Sequence, residues 1–279
     1  MCVIYVCQNT LPPAEELKQG AWRNDDGAGV AWLAPYPKKK DSLAVHWQKG
    51  LKDDKAVVDF IKDNEIPFPL MIHFRTASVG DATAELSHPF PTISGVPLWT
   101  AGYANQVLFH NGHLHAWEDL VLQVGLPEKE RFPEGEWSDS RALAWLVHLK
   151  GPGVLDFVIK SSRVALLYAD PDTLGTDQYN REQDHIGLYG SGWIHKQGFS
   201  QSIETTYFNR GGYRMPDPVI GGGSSTAMTV LPKVEPGLVK SASESAKIFS
   251  PDVWTVEELE GVLKTIEERQ NDAKLATGV

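Results

Sequence analysis

The sequence has very little cysteine, and its two cysteines lie near one end. Only Cys2 and Cys7 occur among 279 residues. If the opening residues form a strand, these positions are separated by residues rising about 3.3 Å each and point to opposite faces. That separation is beyond the reach of a disulfide. A disulfide scaffold and a four-cysteine zinc site are therefore both excluded.

The chain also lacks an excess of positive charge and any long hydrophobic run. It has 26 Lys and Arg against 36 Asp and Glu, which gives a formal net charge of −10. This charge argues against nucleic acid as a direct partner, because phosphate binding needs a basic face. No run approaches the ~18 apolar residues of a membrane helix, and the opening residues do not resemble a signal peptide. We therefore expect a cytoplasmic protein that binds neither nucleic acid nor membrane directly.

The composition changes along the chain and predicts three regions. Overall it is 42% hydrophobic and 22% charged, as in ordinary globular proteins. We expect one domain over residues 1–213, then a linker rich in Gly, Pro and Ser over 214–251. Residues 252–279 then predict an amphipathic helix, with Thr255 and Glu258 as a capping box. Its apolar stripe is formed by Val256, Leu259, Leu263 and Ile266.

Residue patterns in the first region predict an α+β fold. Strands are expected at 2–8, 30–33, 43–48, 70–74, 164–168, 186–188 and around Trp193, and helices over 53–63 and from Ser138–Asp139 onward. Asn111-Gly112 lies between the apolar runs 107–110 and 113–115, which predicts a β-hairpin. Because strands, helices and strands follow one another without regular βαβ repetition, an α+β class is favoured.

Cys2 is a candidate nucleophile. Methionine before a small residue is normally removed in cells, which would leave a thiol and an α-amine on one residue. The α-amine titrates near ~7.7–8.0 and can therefore take the proton of the thiol at neutral pH. An N-terminal nucleophile of this kind supplies its own base. Taken alone, position 2 favours the other interpretation, a small buried hydrophobic side chain.

Three other groups of residues have alternative interpretations. Asn111 and Gly112 fit a tight turn, and also an oxyanion hole made from a side-chain amide and a backbone N–H. Arg75, at the end of a predicted buried strand, needs an anionic partner, either a structural carboxylate or a substrate carboxylate held by two hydrogen bonds. The histidines at 110, 113 and 115 lack further ligands at suitable spacing, so no metal site is expected there.

The order of the short motifs is more specific than any one of them. The chain has Cys2, the turn Asp26-Gly27-Ala28-Gly29, the segment His73-Phe74-Arg75-Thr76-Ala77-Ser78-Val79-Gly80, then His88-Pro89-Phe90, Phe109-His110-Asn111-Gly112 and Ser138-Asp139-Ser140. Over about residues 2–210 this order resembles the class II glutamine amidotransferase domain of the N-terminal-nucleophile hydrolases. The resemblance is greatest to the short stand-alone members found in bacteria and their phages. The chain departs from the family's usual residues at Val79, Leu86 and Arg141.

The resemblance implies a four-layer αββα sandwich with the nucleophile at the tip of a central strand. It implies that Cys2 attacks the substrate and that Asn111 and Gly112 form the oxyanion hole. Arg75 would bind the α-carboxylate of glutamine, with Thr76 and Ser78 beside it, and Asp139 would bind the α-ammonium group. The supporting residues implied by the family are His88, which would brace the Arg75 loop, and Arg23 near the nucleophile.

The function implied is the glutaminase half-reaction of a glutamine amidotransferase, without metal or other cofactor. Ammonia would pass to an acceptor on a partner synthase, because the region after residue 213 is too small for a second core. The predicted C-terminal helix would bind that partner, a second copy of the chain, or the chain's own domain. Two alternatives remain: a hydrolase of another γ-glutamyl or linear amide, and an inactive protein that keeps the fold for binding or structure.

Overall fold

A computed structural model of the chain describes residues 2–39, 42–78, 80–114, 117–124, 133–159, 162–170, 181–183 and 185–202. The predicted linker and C-terminal helix, at 214–251 and 252–279, lie outside the described residues, as do Val79 and His115.

The secondary structure alternates between strands and helices along the described chain. The strands are β1 (Val3–Cys7), β2 (Ala28–Pro35), β3 (Leu43–Leu51), β4 (Leu70–Phe74), β5 (Phe90–Pro91), β6 (Ala101–Ala104), β7 (Gln106–Asn111), β8 (Arg163–Tyr168), β9 (Arg181–Gln183), β10 (Ile186–Tyr189), β11 (Trp193–Lys196) and β12 (Phe199–Ser202). The α-helices are α1 (Ala14–Arg23), α2 (Asp54–Asp63), α3 (Trp117–Val124), α4 (Asp139–Lys150) and α5 (Leu155–Val158), and a 3₁₀ turn at Pro152–Val154 precedes α5.

The strands form two antiparallel sheets. The first has seven strands in the order β11-β12-β1-β4-β2-β3-β6, and the second has five in the order β5-β7-β8-β10-β9. Every neighbouring pair runs antiparallel. The α+β class predicted from the order of elements is therefore confirmed.

The core of the described residues consists of three apolar clusters that follow the alternation of side chains along the strands. The first cluster joins α1 and α2 to one face of the seven-stranded sheet, with Val3, Tyr5 and Cys7 of β1 pointing into it. The second lies between the two sheets and takes Ile4 and Val6 from the same strand. The third joins the other face of the five-stranded sheet to α3 and α4. Cys2 therefore stands at the tip of a strand in the interior of its sheet.

Side-chain caps explain why the two predicted helices begin where they do. Asp53 precedes α2, and its carboxylate accepts a hydrogen bond from Ala56 N at 2.8 Å. Ser138 precedes α4, and its hydroxyl accepts one from Arg141 N at 3.1 Å. Each cap satisfies a backbone N–H that has no partner within the helix itself. These caps are visible in the sequence, and both helix starts are confirmed.

The prediction of a β-hairpin at Asn111-Gly112 is wrong. Strand β7 ends at Asn111, and His113 and Leu114 belong to no strand. The reason is a contact with a distant residue: Leu114 N donates to the Asp139 carboxylate at 3.0 Å, so this N–H does not enter a ladder beside β7. Strand β7 pairs instead with β5 and β8.

None of the helices in the described part of the chain is long and apolar enough to cross a membrane.

The burial of Trp145 in the third apolar cluster predicts that alanine substitutions at two tryptophans differ strongly in their effect on stability. Trp145 on α4 is 1% exposed, whereas Trp22 on α1 is 79% exposed. Trp145→Ala should lower the free energy of unfolding by about 3–5 kcal/mol, because it opens a cavity in the core. Trp22→Ala should change it by less than about 0.5 kcal/mol. Guanidinium denaturation measures both values, and similar losses for the two variants would contradict the assignment of the core.

Candidate active site

A cavity opens at the tip of β1. It lies where the end of β4, the end of β7 and the beginning of α4 meet. Its lining consists of Cys2, Arg75, Thr76, Ser78, Leu86, His88, His110, Gly112, Ser138, Asp139 and Ser140. Most of the residues predicted as a site from the sequence are therefore brought together here; Asn111 and Arg23 are not part of this lining.

The thiol of Cys2 is partly buried at the wall of the cavity. Its Sγ lies 3.5 Å from the Thr76 carbonyl oxygen, to which it donates. Burial raises the pKa of the Cys2 thiol, while the contact with Thr76 and the positive charge of Arg75 act in the opposite direction. Because burial is the largest effect, a base close to the thiol would be needed to form the thiolate at neutral pH.

Arg75 directly follows β4, and its backbone and side chain are both held in place. Its N–H donates to the Gly27 carbonyl at 2.8 Å, and its own carbonyl accepts from Asp26 N at 2.9 Å. Its Nη1 donates to the Asp81 carbonyl at 2.8 Å. The guanidinium thus borders the cavity, and the backbone at Asp81 holds it in place.

The turn that begins at Asn24 supports this part of the site. The Asp26 carboxylate accepts from Ala77 N at 2.7 Å, and the Asn24 side-chain oxygen accepts from Thr76 Oγ1 at 3.0 Å. Gly29 lies directly against the His88 carbonyl, since a Cβ at this position would come within 1.9 Å of that oxygen. The turn that contains Gly29 and the His88-Pro89-Phe90 motif are therefore in backbone contact, and a side chain at position 29 would prevent this contact.

Asp139 is buried at the first turn of α4. Its carboxylate accepts from Leu114 N at 3.0 Å and from Ser140 N at 2.8 Å, and it lies 3.5 Å from His113 Nδ1. Ser140 Oγ also donates to the Asp139 carboxylate at 3.4 Å. The carboxylate lines the cavity, so a cationic group of a ligand would meet a buried anion there. The N-terminus of α4 also stabilises the negative charge.

The two predicted oxyanion donors are placed differently. Gly112 lines the cavity, with φ 154°. A Cβ there would lie 2.2 Å from Ser162 Oγ, so no larger residue fits. Asn111 is buried, and its Nδ2 donates to Ser202 Oγ at 2.9 Å, an oxygen that also accepts from Ile4 N at 2.9 Å. The contact with Ser202 holds the Asn111 amide in place at the end of β7.

Arg23 is exposed at the end of α1, and its side chain is not part of the cavity lining. Its backbone is tied to the site, since the Arg23 carbonyl accepts from Thr76 Oγ1 at 3.3 Å.

Three buried histidines lie next to each other beside the cavity. The rings of His73 and His88 have their centroids 4.0 Å apart, and His73 Nε2 donates to the His110 carbonyl at 3.2 Å. Within the described residues, neither ring nitrogen of His88 has a hydrogen-bond partner. Burial lowers the pKa of His73 to about 3 and that of His88 well below its usual range. All three pKa values are lowered by burial, so these rings are neutral at pH 7.

Sequence reasoning missed the roles of His110 and Ser140. His110 Nδ1 is 2.9 Å from Ser140 Oγ, which joins the end of β7 to α4 inside the cavity wall. The motifs that contain these two residues are visible in the sequence. The contact between His110 and Ser140 is not, because it joins two elements that are distant along the chain.

Arg141 is directed away from the cavity. It is 1% exposed, and its guanidinium donates to four backbone carbonyls, those of Gly95, Val96, Glu134 and Glu136, at 2.7 to 3.3 Å. Burial lowers its pKa to about 10, which leaves it charged at pH 7. Arg141, one of the departures from the residues usual in the resembled family, therefore holds two loops and is not a lining residue.

No family model and no curated protein matches this chain. Its function is therefore inferred from the geometry of the cavity and from the motifs that surround it.

The buried histidine pair predicts a specific sensitivity to acid. The pKa of each ring is lower in the folded state than the ordinary value near ~6.5, so the unfolded chain binds more protons below that pH. Stability should therefore fall as the pH drops from about 6.5 toward 3. His73→Phe should reduce this slope by up to about 1.4 kcal/mol per pH unit, because one proton fewer is taken up on unfolding.

Denaturant unfolding at pH values between 6.5 and 4 measures this slope. His195 is exposed, so His195→Gln serves as the matched control and should keep the wild-type slope. A wild-type slope in His73→Phe would show that the buried ring does not titrate as described.

Proposed function

We propose that this protein is a glutaminase of the class II glutamine amidotransferase type. The observation that carries the proposal is the meeting of a strand-tip thiol, an arginine, a buried carboxylate and a glycine around one cavity: Cys2, Arg75, Asp139 and Gly112. A cation and an anion on the wall of the same cavity match an α-amino acid, which carries both an α-carboxylate and an α-ammonium group.

The architecture supports the same proposal. Helices α1 and α2 pack on one sheet, the two sheets pack on each other, and α3 and α4 pack on the second sheet. We propose that this arrangement is the αββα sandwich of the N-terminal-nucleophile hydrolases. In that arrangement the nucleophile stands at the tip of a central strand, where Cys2 stands.

In the proposed reaction, removal of Met1 leaves the α-amine on Cys2. The amine takes the thiol proton, and the thiolate attacks the side-chain amide carbon of glutamine. The Gly112 backbone N–H and the Asn111 side chain stabilise the resulting oxyanion. The amine then gives the proton to the leaving nitrogen, ammonia departs, and a γ-glutamyl thioester remains. Water hydrolyses the thioester and releases glutamate.

Free glutamine is the first proposal for the substrate, because it carries the two charged groups that Arg75 and Asp139 would bind, together with a side-chain amide. Leu86 gives one part of the cavity wall an apolar surface. A hydrolase of another γ-glutamyl or linear amide remains the second proposal, and a panel of γ-glutamyl amides distinguishes it by relative kcat/KM.

We further propose that the ammonia acceptor is bound by a separate synthase, and that residues 252–279 bind this partner or a second copy of the chain. These residues lie outside the described part of the chain. Truncation after residue 213 should keep basal glutaminase activity and weaken association, as measured by glutamate release and by light scattering. Unchanged association would exclude this binding role.

Cys2→Ala should abolish glutamate release without unfolding the protein, because the thiol performs the chemistry. Cys7→Ala is the matched control and should stay active, since Cys7 is buried in the first apolar cluster away from the cavity. A coupled glutamate assay and circular dichroism measure the two effects. An active Cys2→Ala variant would contradict the mechanism, and so would an intact mass that shows Met1 retained in active protein.

Arg75 and Asn111 should give different kinetic signatures. Arg75→Lys loses the paired hydrogen bonds to a carboxylate and should mainly raise KM for glutamine. Asn111→Ala removes one oxyanion donor and should lower kcat by about 10²–10³.

Ser202→Ala is the control for Asn111, because it removes the partner of the amide but keeps the amide itself. A loss of kcat in Ser202→Ala as large as in Asn111→Ala would assign Asn111 a structural role only.

A further inference from the structure

Lys49 is a buried lysine that the proposed chemistry does not use. It lies near the end of β3, is 1% exposed, and is opposite Gly29 of β2. Its Nζ donates to the Glu85 carbonyl at 2.9 Å and lies 4.5 Å from the centre of the Phe90 ring. Among the described residues no carboxylate forms an ion pair with it, which is unusual for a buried lysine.

The backbone that Lys49 contacts belongs to a segment that forms part of the cavity. Residues 81–88 contribute Leu86 and His88 to the lining, and the Asp81 carbonyl accepts from Arg75 Nη1 at 2.8 Å. The segment is bonded internally, since Ser87 N donates to the Ala84 carbonyl at 3.2 Å. Glu85 lies in the middle of this segment, so a bond to its carbonyl holds the whole segment against β3.

We infer that Lys49 is a positioning residue for substrate binding: its ammonium group holds segment 81–88 in place, and that segment holds the Arg75 guanidinium through Asp81. The inference rests on the proposed function, in which Arg75 binds the α-carboxylate of glutamine. Lys49 itself does not line the cavity and acts only through this chain of contacts.

The charge of Lys49 is central to this role. A hydrogen bond from an ammonium group is roughly twice as strong as one from a neutral amine, and the attraction to the Phe90 ring requires the charge. Burial lowers the pKa of Lys49 to about 7, and the cations Arg141 and Arg75 act in the same direction. The Glu85 carboxylate acts against them, and His88, in the same segment, is neutral. The hold on the segment should therefore weaken as the pH rises through 7.

The experiment compares Lys49→Met, Lys49→Arg and the control Lys52→Met at pH values from 6 to 9. Lys52 is exposed one residue beyond β3 and should behave as wild type. Lys49→Met should raise KM for glutamine about tenfold or more at pH 6, with a smaller change in kcat, since about tenfold corresponds to the loss of one hydrogen bond to a charged group. Lys49→Arg should keep the low KM and lose the rise of KM above pH 7 seen in the wild type.

Folding is measured separately. Replacing a buried charge by an apolar side chain is often neutral or stabilising, so Lys49→Met should not lower Tm. Hydrogen exchange followed by mass spectrometry should show faster exchange in residues 81–88 for Lys49→Met and not for Lys52→Met.

The outcomes separate this inference from the proposed function. If the wild type hydrolyses glutamine and Lys49→Met has an unchanged KM, or if Lys49→Arg keeps the wild-type rise of KM with pH, the role of Lys49 is overturned. The same holds if KM, kcat and Tm all deteriorate together in Lys49→Met, since that result indicates a purely structural residue. If the wild type releases no glutamate, the proposed function fails, and this role fails with it.

Discussion

The buried carboxylate of Asp139 is the contact on which the shape of the cavity depends. It is the one buried acidic side chain among the described residues, against the buried cations Lys49, Arg75 and Arg141. By accepting from Leu114 N and Ser140 N, it joins the chain leaving β7 to the first turn of α4. The helix N-terminus stabilises this charge, so the helix start and the loop position are consequences of the same interaction.

The excess of buried cations has an electrostatic consequence for the whole site. The chain as a whole carries a formal charge of −10. Around the cavity the buried side chains carry more positive than negative charge. A buried charge is destabilising unless hydrogen bonds or an opposite charge compensate for the lost water. Arg141 is satisfied by backbone carbonyls, and Lys49 by a carbonyl and an aromatic ring. Arg75 borders the cavity, which makes it the buried cation best placed to receive an anionic ligand.

The sequence predicted the elements whose causes are local. Strand β4 has the predicted bounds Leu70–Phe74, and α2 and α4 begin after the caps Asp53 and Ser138. The predictions failed where a distant residue decides the local structure: the expected hairpin at Asn111-Gly112 does not form, because Leu114 N bonds to Asp139. Most of the site residues predicted from the motifs line the cavity, whereas Asn111 and Arg23 do not. No local pattern could reveal that Lys49 touches Glu85 or that Asn111 touches Ser202.

The contacts of Gly29 and Gly112 determine how the cavity can change in size. Gly29 touches the carbonyl of His88, and Gly112 touches Ser162, in both cases without room for a methyl group. His88 and Gly112 are both part of the lining, so two sides of the cavity are defined by the main chain. Substituting side chains would change the volume of the cavity only at Leu86 and a few polar positions. Adapting this scaffold to a bulkier substrate would therefore require inserting or deleting residues in the loops around His88 and Gly112, whereas point substitutions would adjust only polarity.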